Sequence, residues 1–160
     1  ASGNINTTAG RVKENGTNIS PIGKQTIYIP AGAMMPRTTN GCALSAISES
    51  VTNKVLVRSL DCDASTAEYF QFQFTAPTSF NLSTVTYRVY WFHGATSVNF
   101  GVVWGLQCQG LGDGDSIDTA FGTAITVADT GGNTERVYIA PESSALTIAN
   151  VAAGDLILCQ

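Results

Sequence analysis

The chain has 160 residues, the size of one ordinary domain, and a net charge of −4 with its 8 lysines and arginines scattered singly. That balance excludes a grip on nucleic acid, because a phosphate-binding face needs grouped cations to displace counterions. Charged residues are only 12% and apolar residues 44%, so the composition is not that of a disordered chain, and no apolar run approaches the ~18 residues of a membrane-spanning helix.

Residues 1–25 contain few apolar side chains, no period, and many Gly, Asn and Thr. They are predicted to form an extended arm or linker that leads into a domain over residues 26–160. Asn6, Asn15 and Asn18 in the arm, and Asn81 beyond it, stand in glycosylation sequons, which so Asn- and Thr-rich a chain produces by chance.

Next comes "IYIPAGAMMPRTTNGCA", apolar but without a regular period past its first four residues. "TIYI" is predicted as a strand ended by Pro30. The rest cannot build a regular ladder, because Pro36 lacks a donor and Gly32 lowers order. Met34 and Met35 need a cover, either the open end of the domain or a neighbouring subunit, and methionine adapts to irregular surfaces of both kinds.

"KVLVRSL" is a short strand candidate, and "YFQFQFT" alternates with a period of two, setting Phe70, Phe72 and Phe74 on one face. "TVTYRVYWF" places Val85, Tyr87, Val89 and Trp91 opposite Tyr90 and Phe92. "GVVWGLQCQ" does the same for Val102, Trp104, Leu106 and Cys108. "AITVA", "RVYI", "ALTI" and "LILCQ" complete about nine strands separated by Gly, Asn, Asp, Ser and Pro. Only "DSIDTAFG" has a helical look, with Asp115 or Ser116 as cap and Gly122 as stop. Many short strands with almost no helix predict an all-β, antiparallel β-sandwich, jelly-roll-like, with one short helix in a loop. Its core is predicted to hold Phe70, Phe72, Phe74, Val89, Trp91, Val102, Trp104 and Leu106. An immunoglobulin-like sandwich fits the cysteine and tryptophan spacing less well.

Chemistry is sparse. The single histidine, His93, ends a strand and lacks a nucleophile elbow to serve, so it is read as a turn-adjacent residue. Asp113, Asp115 and Asp118 offer hard oxygen ligands for calcium. The loop departs from the EF-hand at its sixth and twelfth positions, which favours a solvated acidic loop. Cys42, Cys62, Cys108 and Cys159 show no C-x-x-C spacing and are read as four free thiols used as small core residues. No residue pair is singled out for catalysis, so no enzyme activity and no cofactor are expected.

The stretches "IYIPAGAMMPRTTNGCA", "DCDASTAEYFQFQFTAPTSFN", "TVTYRVYWFHGATSVNFGVVWGLQCQGLGDGDSIDTAFGTAITVADTGG" and "VYIAPESSALTIAN" together resemble a β-rich domain of tailed-bacteriophage virion structural proteins, of the tail-fibre or appendage type found in marine and metagenomic phages. The resemblance covers residues 20–160, and relatives continue past "LILCQ" into a further strand. It implies a virion protein, assembled in the bacterial host cytoplasm, in a tail fibre or a capsid decoration. The implied partners are itself, as a homotrimer, and other virion proteins, with host attachment as an added role. The expected subunit interface is Met34, Met35, Pro36 and Arg37. An alternative is a carbohydrate- or receptor-binding module of a fibre tip, using Tyr90 and Phe92 as a stacking platform. A polysaccharide depolymerase is a third reading. No nucleic acid and no membrane insertion are expected.

Overall fold

In a computed structural model, the chain is described over residues 25–160 apart from 45–46, 64, 78–79, 81, 83, 95–99 and 135, and in the arm by the backbone of three strands. Those are β1 (Ile5–Thr8), β2 (Arg11–Glu14) and β3 (Thr17–Asn18), an antiparallel meander in which Ile5 faces Glu14 and Glu14 faces Thr17. The domain strands are β4 (Met35–Pro36), β5 (Ala43–Leu44), β6 (Ser48–Glu49), β7 (Leu56–Val57), β8 (Leu60–Asp61), β9 (Phe70–Thr75) and β10 (Thr84–Val85). They continue with β11 (Tyr90–Trp91), β12 (Phe100–Leu106), β13 (Cys108–Leu111), β14 (Ile125–Gly131), β15 (Tyr138–Ile139), β16 (Leu146–Thr147) and β17 (Leu156–Cys159).

The expected antiparallel β-sandwich is what the chain forms. One layer is a four-stranded sheet in the order β13-β17-β9-β4. Its registers align Cys108, Cys159 and Phe72 in one row, and Gly110, Ile157 and Phe74 in another. Cross-strand partners point to the same face, so these rows make the inner surface. Against it pack Leu146 and Ile148, together with the partner pairs Val85–Leu146 and Leu106–Ile125. The alternation of "YFQFQFT" is thus realised as predicted, with Phe72 and Phe74 on the core. Gly110 has no side chain because the backbone of the Asn150–Val151 segment occupies the place; a Cβ there would lie 2.6 Å from Val151 Cα. The ladders pair as one four-stranded sheet and several two-stranded ribbons, which does not by itself trace the two Greek keys of a jelly roll.

A second cluster is aromatic. Trp91 is buried, with its ring centroid 5.1 Å from that of Tyr138, 6.2 Å from Trp104 and 6.4 Å from Phe100. Its indole N–H donates to Asp129 Oδ2 at 2.8 Å, which satisfies the one polar atom of the ring. β12 and β14 run in register over their full length, from Phe100 opposite Gly131 to Leu106 opposite Ile125. Val102, Trp104 and Leu106 are half-buried while Val103 and Gly105 are exposed, so the predicted faces hold. Phe70 and Val89 are half-buried.

Three expectations are corrected. "TIYI" is not a strand: residues 26–29 belong to no ladder among the described residues, and Tyr28 is 72% exposed. The sheet edge is taken instead by β4, where Pro36 is tolerated because an edge strand needs fewer donors. "DSIDTAFG" is not a helix. Asp115 Oδ2 accepts from Gly112 N–H at 2.8 Å and the Thr119 hydroxyl donates to Ser116 C=O at 2.8 Å, so local side-chain bonds replace helical ones. The helical turn in the described residues is a 3₁₀ turn over Ala31–Ala33.

The cysteines are not free thiols. Cys42 bonds Cys62 and Cys108 bonds Cys159, with Cα separations of 4.4 and 4.1 Å. Spacing along the chain hid this, since the partners are 20 and 51 residues apart and meet only through strand register.

The ribbon of residues 84–91 against 138–147 is one antiparallel run with a break. Thr84 faces Thr147 and Tyr90 faces Ile139, so the register slips by two residues between them. Pro141 lies in the slip and has no N–H to give. Ser143 bridges it: its N–H donates to Tyr87 C=O at 3.0 Å, and its hydroxyl oxygen accepts from Tyr87 N–H at 3.0 Å.

Candidate interaction surfaces

Among the described residues, two groups of apolar side chains are exposed together. The first is a hairpin that begins and ends at a disulfide. β5 pairs with β8, Ala43 facing Asp61, and β6 pairs with β7, Glu49 facing Leu56. The tip closes with Ser50 N–H donating to Val55 C=O at 2.9 Å, and Lys54 takes a positive φ of 56° in the turn. Lys54 Nζ reaches Glu49 Oε1 at 3.3 Å, an exposed pair of small energetic weight. Cys42–Cys62 clamps the base. Leu44, Ile47, Val51, Val55, Leu56 and Val57 are all exposed, up to 76% for Val51. A bare two-stranded hairpin is marginal in water, so the clamp supplies order that packing does not.

The second surface is the outer face of the β11–β15 ribbon. Tyr90 and Ile139 are directly opposite each other and are 58% and 53% exposed. Phe92 and Val137, which flank the two strands just outside the ladder, are exposed too. The inward partners Trp91 and Tyr138 anchor the ribbon from beneath. Four apolar side chains exposed close together in the sequence of this ribbon, with Tyr90 and Ile139 paired on one face, are a candidate interaction site.

The structure places the other candidates as follows. Met34 closes the 3₁₀ turn by donating its N–H to Ala31 C=O at 3.1 Å, and it is half-buried. Met35 is 53% exposed on the edge of the four-stranded sheet, facing Gln71, and Pro36 faces Phe70. The Arg37 guanidinium sits 4.6 Å above the Tyr69 ring. Met35, Pro36 and Arg37 border a shallow depression of about 420 Å³ with Thr38, Thr39 and Gln71. Tyr90 and Phe92 are both exposed, and Tyr90 has Ile139 directly opposite it on the neighbouring strand.

Asp113, Asp115 and Asp118 are exposed, and Asp115 is engaged with the loop backbone. Among the described residues, the group of three potential metal ligands whose atoms lie within 4.8 Å of one another is Cys42, Cys62 and Glu68. Both of its sulfurs are used in the disulfide, so it is no metal site as it stands. His93 is more than a turn residue. Its ring stacks on Phe100 at 5.2 Å and on Tyr138 at 5.8 Å, and neither ring nitrogen has a hydrogen-bond partner among the described residues. It packs as an aromatic.

Sequence reasoning missed the hairpin. The visible signal was a pair of cysteines bracketing "ALSAISESVTNKVLVRSLD" with a polar turn at its centre. It also named "RVYI" as a strand without pairing it to "TVTYRVYWF".

Together these features define an all-β protein whose built surfaces are apolar ribbons. The chain matches no protein-family model, no curated protein and no solved structure.

Proposed function

We propose that this chain is a structural protein of a bacteriophage particle, a component of a tail fibre, another appendage or a capsid decoration, that acts by assembling with copies of itself. The observation that carries this reading is the disulfide-clamped hairpin with six aliphatic side chains left exposed among the described residues. Burying each such side chain contributes about 1.5–3 kcal/mol, and a second copy could supply that burial. The net charge of −4 offers little like-charge repulsion against self-association. The resemblance to phage virion proteins supplies the context and the expected stoichiometry, a homotrimer located in the virion. Met35 at the sheet edge, with Pro36 and Arg37 beside it, belongs to the same assembly reading.

Assembly in a reducing host cytoplasm would precede closure of the disulfides, which persist in oxidising surroundings after release. A second reading, a glycan- or receptor-binding module at a fibre tip, is favoured by Tyr90 and Phe92 both lying exposed. Light scattering of the intact chain at micromolar concentration tests the first reading: a trimer is expected, and a monomer overturns it. A glycan array tests the second. Turnover of host polysaccharide would overturn both in favour of an enzyme.

A further inference from the structure

We infer that Cys42, Cys62 and Glu68 hold a zinc-class divalent cation when the disulfide between the two cysteines is open. The base of the hairpin is then clamped by a metal in reducing surroundings and by a disulfide in oxidising ones. The inference goes beyond the assembly reading and does not depend on it.

The donor set is of the right kind. Two thiolates and a carboxylate are ligands that Zn²⁺ takes, and the two soft sulfurs disfavour calcium and magnesium. In a tetrahedral site of this composition the donor atoms stand roughly 3.6–3.8 Å apart. Here both sulfurs and a Glu68 carboxylate oxygen already lie within 4.8 Å of one another. Opening the disulfide frees the sulfurs to separate around an ion. Three protein donors leave the fourth position to water. The core disulfide Cys108–Cys159 gives the contrast: among the described residues, no carboxylate or histidine completes such a group with it.

Backbone bonds hold the three residues together independently of the disulfide. Ala43 faces Asp61 in the β5–β8 ladder, so Cys42 and Cys62 are the next pair along it, with Cα atoms 4.4 Å apart. Glu68 is tied to Cys42 through its neighbour Tyr69. The Cys42 and Arg37 N–H groups donate to Tyr69 C=O at 3.3 and 3.2 Å, and the Tyr69 N–H donates to Asn40 C=O at 2.8 Å. Glu68 is tied to the other cysteine by its own side chain, because Glu68 Oε2 accepts from the Asp63 N–H at 2.7 Å. That bond orients the carboxylate, as outer hydrogen bonds orient the carboxylates of metal sites.

The exchange between the two clamps needs only a thiol–disulfide couple. A small-molecule disulfide oxidises the metal-bound pair. One cysteine thiolate attacks a sulfur of that disulfide and expels a thiolate; the second cysteine thiolate attacks the mixed disulfide and expels the other. The cysteines lose two electrons, the small molecule gains them, and Zn²⁺ leaves with its charge unchanged. A dithiol reductant supplies the two electrons for the reverse step and ends as its own disulfide. A bare two-stranded hairpin is marginal in water, so a clamp in each redox state keeps residues 43–61 ordered in both.

Cobalt(II) is the probe, because thiolate ligation gives it charge-transfer absorption and a tetrahedral site gives it strong visible bands. The full chain is reduced with a phosphine in the absence of oxygen and titrated with Co²⁺. The reduced wild type is expected to bind one Co²⁺ per chain and to give it up to Zn²⁺, while the unreduced chain shows no such spectrum. Cys62→Ser should abolish the spectrum, and Glu68→Gln should weaken binding at least about tenfold. Cys108→Ala with Cys159→Ala should leave the titration unchanged. A reduced wild type without the thiolate–cobalt spectrum overturns the site. An affinity that Glu68→Gln leaves unaltered overturns it too, because a loose pair of thiols needs no carboxylate. Should the core-pair variant not fold, alkylation of the reduced wild type read by mass spectrometry replaces it. Zn²⁺ is expected to slow modification of Cys42 and Cys62 at least about tenfold, and equal rates with and without Zn²⁺ overturn the inference. None of these outcomes reads the oligomeric state, so the assembly reading stands or falls separately.

Discussion

Cys108 lies directly opposite Cys159 on the neighbouring strand, and the disulfide between them sits in the same inner row as Phe72. Both cysteines are about 1% exposed. The bond therefore joins β13 to β17 inside the core, where Leu146, Ile148 and Ile157 pack around it.

Opening that bond releases a loop of 51 residues in the unfolded chain. On a chain-entropy estimate this costs about 4 kcal/mol. Replacing Cys108 and Cys159 together by alanine is expected to lower the calorimetric melting temperature by ten degrees or so. A loss of under about two degrees would show that packing alone holds these strands.

Cys42–Cys62 has a different job. It closes 20 residues, worth about 3 kcal/mol on the same estimate, but the order it protects is local. A Cys42→Ser/Cys62→Ser variant should keep the sandwich's circular dichroism. Cleavage by a protease between residues 43 and 61 should become faster by an order of magnitude or more. Equal cleavage rates in the two proteins would mean that the hairpin stands without its clamp.

Gly131 ends β14 against the aromatic cluster. A Cβ there would lie 2.7 Å from Trp91 Cη2 and 3.0 Å from the His93 ring. Gly131→Ala should destabilise the fold by about 1–3 kcal/mol and shift the tryptophan emission, because the clash falls on a buried indole. Unchanged emission and melting temperature would show that the cluster yields easily.

The Tyr87 hydroxyl lies 2.9 Å from Trp104 C=O and 2.8 Å from Ile125 C=O, tying the 84–91 strand to the end of the β12–β14 ladder. Burial raises its pKa above the ordinary value of 10.0. The folded chain then holds the phenol proton more tightly than the unfolded chain does. The stabilisation is complete below pH 10 and is lost as pH rises through the raised pKa. Urea midpoints should fall above pH 10 in the wild type and fall less in Tyr87→Phe, which should cost about 1 kcal/mol at neutral pH. Parallel alkaline profiles would remove Tyr87 from this role.

Asp63 gives the opposite sign at the acid end. Hydrogen bonds from the Ser65 backbone N–H and hydroxyl lower its pKa from 3.8. Its contribution is present above that value and is lost as pH falls through the lowered one. Carbon-detected titration of the carboxyl should place Asp63 below a free aspartate in the wild type and closer to it in Ser65→Ala.

The sequence by itself determined the class of fold and which side of several strands faces inward. "YFQFQFT" and "GVVWGLQ" carry a period of two, and alternation is a local consequence of the pleat that no distant contact is needed to read. It also marked Met34, Met35, Pro36 and Arg37 as a candidate interface, and Tyr90 and Phe92 as a candidate platform. The tertiary structure alone decided the rest. "TIYI" has the composition of a strand but joins no ladder among the described residues, and "DSIDTAFG" loses its helix to side-chain bonds within a tight loop. The disulfides, the exposed hairpin and the joining of Tyr90 to Ile139 depend on strand register across 20, 51 and 49 residues of chain. Local propensity cannot set such registers, because they follow from which faces bury each other once the strands have met.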